Sequence, residues 1–246
     1  MAQMLIYETA TPLNSRKHAE WSIDTRPNYT FAAKVNSVPL MAVEIMHAAS
    51  EYPVVFGGTG DHVMPAAILG LRNGENIFVN GEGEWRASYI PAFVRRYPFV
   101  FSSADEGKTF ALCVDEQFPG LNQEGRGENL FTEGKPSPYV DGVLKFLQQY
   151  QAEFARTKAF CAKLKEHNLL EPMQAQVTMD SGERVSLTGF SVVDRARLKT
   201  LTSEALSELA RSDELELLYA HLYSMRNFAA MKGKAAGAPA PAPELA

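Results

Sequence analysis

The chain has 246 residues, of which 46% are hydrophobic and 22% are charged, a composition typical of a soluble globular protein with a sizeable core. Its formal net charge of -5 argues against nucleic acid as a partner, because nucleic-acid binders concentrate basic charge to displace counterions. No stretch approaches the roughly 18 apolar residues that a transmembrane helix needs, so we expect no membrane span.

The beginning of the chain and its cysteines favour a cytoplasmic protein. The stretch "MAQMLIYETATPLNSRKHAEW" lacks the charged leader, the apolar run and the cleavage site of a secretory signal. Cys113 and Cys161 are far apart and form no C-x-x-C pair, so neither a redox motif nor a zinc site is indicated. Reduced thiols are typical of the cytoplasm, although a disulfide between the two cysteines remains the alternative.

Residues 1–115 are predicted to be rich in short strands. The stretch "NSVPLMAVEIMHAASEYP" has the pattern of a helix with Asn36 or Ser37 at its N-cap. Strands are predicted at "PVVFGG" and on both sides of the turn at Asn73-Gly74. Two more strands, "FVFSS" and "TFALCVD", are expected around the turn "ADEGK".

An aromatic and arginine-rich segment, "GEGEWRASYIPAFVRRYPFVF", occupies residues 81–101. A short helix capped by Ser88 would place four apolar side chains on one face, which favours a core role for Ile90, Phe93, Val94 and Tyr97. Four other side chains remain available for ligand binding: Trp85, Tyr89, Arg95 and Arg96. Arginine suits this task because its planar fork can hold a carboxylate with two hydrogen bonds. The alternative is a charged rim that faces water.

Residues 116–138 are rich in Gly, Pro and Glu. A connection of this length inside a compact domain is often a lid or a binding loop. Arg126, between Gly125 and Gly127, therefore joins the candidate ligand-binding residues. The segment is not a phosphate loop, because it lacks the lysine and the hydroxyl residue that end that motif. A plain surface crossing between subdomains is the alternative.

The second half of the chain opens with a long predicted helix, "SPYVDGVLKFLQQYQAEFARTKAFCAKLKEHN". Two rows of side chains recur in it every seven residues: Val140, Leu147, Phe154 and Cys161, and Val143, Tyr150, Thr157 and Leu164. We expect this seam to be buried within the same chain, with Leu147 and Phe154 at its centre. A homodimer through the long helix is the alternative.

A hairpin turning at residues 180–182 and two further helices, the first capped by Asp194, are predicted after the long helix. Residues 232–246 alternate Ala and Pro and are expected to form a disordered tail. Together the elements predict an α+β fold with one domain over residues 1–231. In this domain a strand-rich N-terminal half packs with a helical C-terminal half that contains the long helix and the β-hairpin.

Motifs for catalysis or metal binding are weak. Glu44 and His47 form one E-x-x-H pair, whereas di-iron bundles need two such pairs and two further glutamates. His18 and Glu20 could supply two arms of a non-haem iron triad, with a distant histidine as the third. No G-x-S-x-G elbow is present, and neither cysteine lies in a nucleophile motif. We therefore assign no catalytic residue, no metal and no cofactor, and an enzyme remains the alternative.

Seven blocks in a fixed order carry a resemblance to a known family: "EYPVVFGG", "AAILGLRNGENIFVNGEGEW", "YIPAFVRRYPFVF", "CVDEQFPGLNQEGRGENLF", "LLEPMQAQVTM", "SLTGFSVVD" and "LELLYAHLYSMRNF". From about Ile6 to Met231 the chain resembles the SapC family of bacterial proteins. The family name comes from a member linked to a paracrystalline surface layer. Relatives are often labelled peptide-transport permeases, a label at odds with the absence of a predicted span. The resemblance brings no catalytic residues.

Genes of the family often lie near those for outer-membrane receptors and flavin-dependent halogenases, which implies an accessory role in handling an imported compound. We therefore expect a non-catalytic binding or accessory protein for a peptide or another small ligand that bears a carboxylate. The arginine and aromatic side chains of residues 85–97, beside the Gly-rich segment, motivate this hypothesis. The alternatives are a metal-dependent oxygenase that uses His18, Glu20 and another histidine, and a surface-layer or assembly component.

Overall fold

The computed structural model describes residues 5–103, 109–179 and 182–235, and it confirms the mixed α+β fold. The strands are β1 (Ala10–Pro12), β2 (Ser22–Ile23), β3 (Ser37–Pro39), β4 (Val54–Gly57), β5 (Met64–Ile68), β6 (Phe99–Ser102), β7 (Ala111–Asp115), β8 (Leu121–Asn122), β9 (Glu128–Asn129), β10 (Phe131–Thr132), β11 (Lys135–Pro136), β12 (Leu170–Thr178) and β13 (Arg184–Val193). The helices are α1 (Ile45–Ala48), α2 (Ala92–Arg95), α3 (Pro138–Glu166), α4 (Arg195–Lys199), α5 (Ser203–Arg211), α6 (Glu214–Ser224) and α7 (Asn227–Ala235). Short 3-10 helices lie at Thr30–Ala32, Ala42–Glu44 and Gly60–His62.

The largest sheet is antiparallel and has five strands in the order β12-β13-β4-β5-β3. Strand β4 lies at its centre, where the consecutive residues Val54, Val55 and Phe56 are all buried. Since neighbouring side chains of a strand point to opposite faces, the sheet is covered on both sides at this point. Helix α6 packs against β4 and β13, and helix α3 packs against β5.

A buried histidine joins α6 to this sheet. The Nδ1 atom of His221 lies 2.7 Å from the carbonyl oxygen of Val54, and its Nε2 accepts a hydrogen bond from the N–H of Val193 at 3.0 Å. Burial lowers the pKa of His221 to about 4, so the ring is neutral near pH 7 and donates through Nδ1. His221 therefore has a structural role between helix and sheet.

Residues 116–138, predicted to be a loop, contain four short strands. Strands β8 and β9 pair with the two sides of β2, and β10 pairs with β11. Gly127 has a φ of 85°, and a Cβ at this position would meet the carbonyl oxygen of Ile23, so the close approach of the segment to β2 requires glycine. The sequence pattern missed these strands because each has only two residues.

A second three-stranded sheet, in the order β1-β7-β6, packs beside the first turns of α3. It confirms the predicted strands "FVFSS" and "TFALCVD", which become β6 and β7. Phe99 of β6, Val114 of β7 and Leu147 of α3 meet in a separate apolar cluster. The strand-rich half and the helical half are thus joined through α3.

Helix α3 begins where its sequence predicts, because the Ser137 side chain accepts a hydrogen bond from the N–H of Val140 at 3.3 Å. Most of its predicted seam is buried against the same chain: Val140, Leu147, Tyr150, Thr157, Cys161 and Leu164. Phe154 differs from the prediction, since it is only partly buried and lines a cavity. A seam covered by its own chain gives no support to a homodimer, which stays a prediction.

The helix predicted between an N-cap at Asn36 or Ser37 and Pro53 is wrong in its first part. Residues Ser37–Pro39 form strand β3, and helical structure starts only at Ala42. Two causes favour the strand: a residue before proline avoids helical backbone angles, and β3 finds a partner in β5. Two strands are predicted around the turn at Asn73-Gly74. The strand before the turn corresponds to β5, whereas the stretch after the turn forms an isolated bridge between Val79 and Trp85.

The C-terminal elements largely follow the prediction. Strands β12 and β13 form the expected hairpin, and residues 180 and 181 of its turn lie outside the described residues. The Asp194 side chain accepts hydrogen bonds from the N–H groups of Ala196 and Arg197 at 2.9 and 3.0 Å. The helix that Asp194 caps is divided into α4 and α5.

Helix α7 reaches Ala235, further than the expected start of the Ala/Pro tail at residue 232. Residues 236–246 of that tail lie outside the described residues. Over the ranges that the structure describes, no helix combines the length and the apolar character needed to cross a bilayer.

Candidate ligand cavity around Arg96

A cavity of about 920 Å³ lies between the sheets and helix α3. Its walls include parts of strands β3, β5 and β6, of α2 and the residue that follows it, and one face of α3. Sites for small molecules usually have volumes of about 300 to 1,000 Å³. We call it the Arg96 cavity, and the lining residues that matter below are His62, Phe93, Arg96, Tyr150, Phe154 and Lys158.

The lining of the Arg96 cavity is apolar and positively charged. Most of its side chains are aliphatic or aromatic, and its basic members are Arg96, Lys158 and the ionisable His62. Among the described residues that line it there is no Asp or Glu. Arg96 is buried, whereas His62 and Lys158 are exposed. These features suit a molecule with an apolar body and a negative charge.

Three aromatic rings surround the guanidinium group of Arg96. Its Cζ atom lies 4.3 Å from the ring centroid of Phe93, 4.8 Å from that of Tyr150 and 5.6 Å from that of Tyr7. The residue is 8% exposed, and its buried Nε has no hydrogen-bond partner in the described part of the chain. Cation–π contacts stabilise by about 0.5 to 2 kcal/mol each, but they leave the N–H donor unused.

The two tyrosines beside Arg96 do not neutralise its charge. Burial raises the pKa of Tyr150 to about 12, although the nearby Arg96 charge opposes the shift. Burial also raises the pKa of Tyr7, whose hydroxyl donates a hydrogen bond to the carbonyl oxygen of Phe99 at 2.8 Å. Both phenols are therefore protonated near pH 7 and carry no negative charge that could pair with Arg96.

The buried carboxylate of Asp115 is bound by groups other than Arg96. One oxygen of Asp115 accepts the N–H of Glu8 at 2.7 Å, and the other accepts the N–H of Thr9 at 3.1 Å. Both contacts hold the N-terminal segment against β7. Within the described ranges, no carboxylate forms an ion pair with Arg96.

Glu44 fixes the position of the helix that precedes Arg96. Its Oε1 accepts hydrogen bonds from the hydroxyl of Tyr89 and the N–H of Ala92, both at 2.7 Å. Its Oε2 accepts the N–H of Met41 at 2.8 Å. Because Ala92 is the first residue of α2, Glu44 satisfies one of the N–H groups that a helix leaves open at its start. The backbone of Arg96 is oriented through this contact.

Trp85 and Tyr89, predicted to bind a ligand, lie in a network outside the Arg96 cavity. The indole N–H of Trp85 donates to the hydroxyl of Tyr52 at 2.9 Å, and that hydroxyl donates to the carbonyl oxygen of Tyr89. The Tyr89 ring stacks on the imidazole of His47 with 5.5 Å between centroids. The two side chains stabilise the segment that leads to α2 and do not line the cavity.

The two neighbouring arginines lie in different environments. Arg95 is exposed, and its Nε donates to the carbonyl oxygen of Ile90 at 2.9 Å. Arg126 is also exposed and pairs with Glu124 at 2.9 Å. The structure describes all five predicted ligand-binding residues, and of these only Arg96 lines the cavity. The other four lie outside the Arg96 cavity, and their part in ligand binding stays a prediction.

Comparison with known proteins places the chain in a family. A family model described as SapC matches residues 13–231. The chain belongs to the SapC family. This membership confirms the resemblance predicted from the seven sequence blocks, and the matched range includes Arg96 and the whole of α3. Searches of the curated proteins and of the solved structures found no match.

The proposed iron ligands do not come together in this SapC-family chain. The buried His18 has its Nε2 3.1 Å from Oε1 of Glu116, and its Nδ1 accepts the N–H of Asn14 at 3.0 Å. Glu20 is exposed. Residues 5–103, 109–179 and 182–235 contain no group of three or more His, Cys, Asp or Glu side chains close enough to hold a metal ion. His18 joins the N-terminal segment to the end of β7.

Sequence reasoning did not assign Tyr150, Phe154 and Lys158 to a ligand site, although they line the cavity of this chain, nor Tyr7, whose ring contacts Arg96. Tyr7 could not be found, because it meets Arg96 only through the tertiary fold. A signal for the other three was available in α3. They are spaced by four residues and therefore share one face of the helix, on which two aromatic rings are followed by a cation.

Proposed function

We propose that this protein binds a small, mostly apolar molecule through its carboxylate, and that Arg96 holds the carboxylate. The observation that carries this function is the buried Arg96 guanidinium, which has an unused Nε donor at the wall of a cavity. A buried charge without a partner is costly. A carboxylate removes that cost, because it supplies both the opposite charge and the hydrogen-bond acceptor.

The size of the Arg96 cavity favours a small molecule over a peptide. Its volume of about 920 Å³ is at the upper end of the usual range for small-molecule sites. Peptides are more often bound along a sheet edge or in a long open groove. The apolar walls would contribute about 25 cal/mol for each Å² of apolar ligand surface that they remove from water.

We place this binding function in the cytoplasm as an accessory, non-catalytic step in the handling of an imported compound. The two cysteines support this location, since both are free and buried and reduced thiols are typical of a reducing compartment. Fractionation of the cells that make the protein tests the location. Recovery of the protein from the cell surface would favour the surface-layer alternative instead.

Calorimetric titration with a simple apolar acid tests the binding function. Decanoate and its neutral amide, decanamide, have the same length and differ in charge at one end. We expect the wild-type protein to bind decanoate at least about tenfold more tightly than decanamide, since a charge-assisted hydrogen bond contributes about 1.5 to 3 kcal/mol. Arg96→Gln should remove this preference and leave decanamide binding unchanged within about threefold.

Arg95→Gln is the matched control, because Arg95 is the neighbouring arginine and lies outside the cavity. It should leave the binding of both compounds unchanged. The proposed function is wrong if wild-type protein binds neither compound, or if Arg96→Gln and Arg95→Gln have the same effect. Tighter binding of trileucine than of decanoate would make a peptide the ligand.

A further inference from the structure

One face of α3 forms a wall of the Arg96 cavity whose chemistry changes along its length. Tyr150, Phe154 and Lys158 share this face because they are spaced by four residues, and all three line the cavity. Tyr150 lies 4.8 Å from the Arg96 guanidinium, Phe154 is partly buried, and Lys158 is exposed. The wall therefore leads from a buried cation, past an apolar surface, to an exposed cation.

The ammonium group of Lys158 has no partner among the described residues. Other basic residues of the same helix do have partners. Lys163 pairs with Glu214 at 2.8 Å, and Arg156 pairs with Glu153 at 3.0 Å. The exposed His62 lines the cavity as well and adds a second hydrogen-bonding group without negative charge. The exposed end of the cavity is therefore suited to an anion.

We infer that the ligand carries a second anionic group at its far end and that Lys158 binds this group. The inference rests on the proposed function, since Arg96 must hold the first carboxylate. Tyr150 and Lys158 are eight residues apart, which corresponds to about 12 Å along a helix. A medium-chain α,ω-dicarboxylate such as decanedioate matches this span, with its methylene chain against Phe154.

The second carboxylate distinguishes two descriptions of the cavity. If its far end offered only apolar surface, the second carboxylate would lose water without compensation, and a dicarboxylate would bind more weakly than the corresponding monocarboxylate. If Lys158 binds the second carboxylate, the dicarboxylate binds more tightly. The gain is modest and falls as salt is added, because Lys158 is exposed to solvent.

Calorimetric titrations with decanoate and decanedioate test the inference. We expect the wild-type protein to bind decanedioate about fivefold more tightly than decanoate at low salt. Lys158→Gln should remove this difference, because it should weaken the binding of decanedioate more than that of decanoate. Lys145→Gln is the matched control, since Lys145 is exposed on the same helix and does not line the cavity. It should change neither titration.

Two further titrations separate this inference from the proposed function. Arg96→Gln should weaken the binding of both acids. Hexanedioate, whose methylene chain is shorter than that of decanedioate, should lose less affinity than decanedioate when Lys158 is replaced by Gln. The inference is overturned if decanedioate binds no more tightly than decanoate, or if Lys158→Gln weakens the binding of both acids equally. Neither result would contradict the role of Arg96. If wild-type protein binds neither acid, the inference and the proposed function are both wrong.

Discussion

The guanidinium carbon of Arg96 lies 4.8 Å from the centroid of the Tyr150 ring. The two residues are far apart in the chain, and they meet because α3 packs beside the segment that follows α2. The Tyr150 ring holds the cation but does not neutralise it, since burial keeps the phenol protonated with a pKa of about 12. The fold thus positions a buried positive charge at the cavity wall and leaves its Nε free to donate.

Two substitutions in α3 should separate stability from binding. Leu164 is 0% exposed and does not line the cavity, so Leu164→Ala should lower the free energy of unfolding by about 2 to 5 kcal/mol. Phe154 is only partly buried and lines the cavity. We expect Phe154→Ala to destabilise the fold less than Leu164→Ala and to weaken decanoate binding. Urea unfolding and calorimetry measure the two effects, and a larger stability loss for Phe154→Ala would contradict the assignment.

Glu44→Gln should destabilise the protein by about 2 to 3 kcal/mol. Both carboxylate oxygens accept hydrogen bonds from buried donors, and an amide would place its NH₂ group against one of them. Glu20→Gln is a suitable control, because Glu20 is exposed and its substitution should change stability by less than about 0.5 kcal/mol. Equal unfolding midpoints for the two variants in urea would show that Glu44 does not hold α2.

The stability of the fold should depend on pH through His221. Its pKa is lowered by burial from the ordinary value of 6.5 to about 4, so between these values the unfolded state binds a proton that the folded state does not. The free energy of unfolding should therefore fall as pH is lowered from 6.5 to about 4, by up to about 1.4 kcal/mol per pH unit from this residue.

NMR titration of the His221 imidazole checks this shift directly. The resonance should change only when the pH approaches 4. His221→Asn should reduce the slope of stability against pH over the same window, in addition to lowering stability at neutral pH. A His221 titration centred near 6.5 would contradict the buried contacts with Val54 and Val193.

Gly58 lines the cavity and should not tolerate a side chain. Its φ is 95°, and a Cβ there would meet the carbonyl oxygen of His62. Gly58→Ala should therefore lower stability by about 1 to 3 kcal/mol. Gly57→Ala is the matched control, since a Cβ at Gly57 has no neighbour within 4 Å. Similar melting temperatures for the two variants would show that the turn from β4 to His62 is not constrained in this way.

The sequence predicted well the elements that carry a long or strong pattern. The buried run of β4, the length of α3 and the Asp194 cap all depend on residues that are close in the chain. Strand β3 could not be predicted in the same way, because it exists through its pairing with β5. The paired residues of β2, β8 and β9 are likewise brought together by tertiary contacts.

For the candidate site, the sequence indicated one of the central residues and not its surroundings. The helical pattern leaves both Arg95 and Arg96 off the apolar face, whereas in the structure Arg95 is exposed and Arg96 is buried. The difference arises from Tyr7 and Tyr150, which reach Arg96 from distant parts of the chain. No local pattern contains that information.

A crystal structure of the protein with decanoate tests the central claim most directly. The decanoate should lie in the Arg96 cavity with a carboxylate oxygen about 2.7 to 2.9 Å from Nε of Arg96, and its methylene chain should pack against Phe154. The same experiment with Arg96→Gln should show no carboxylate at this position. Decanoate with its carboxylate directed away from Arg96, or bound outside the cavity while Nε of Arg96 stays without a partner, would contradict the account.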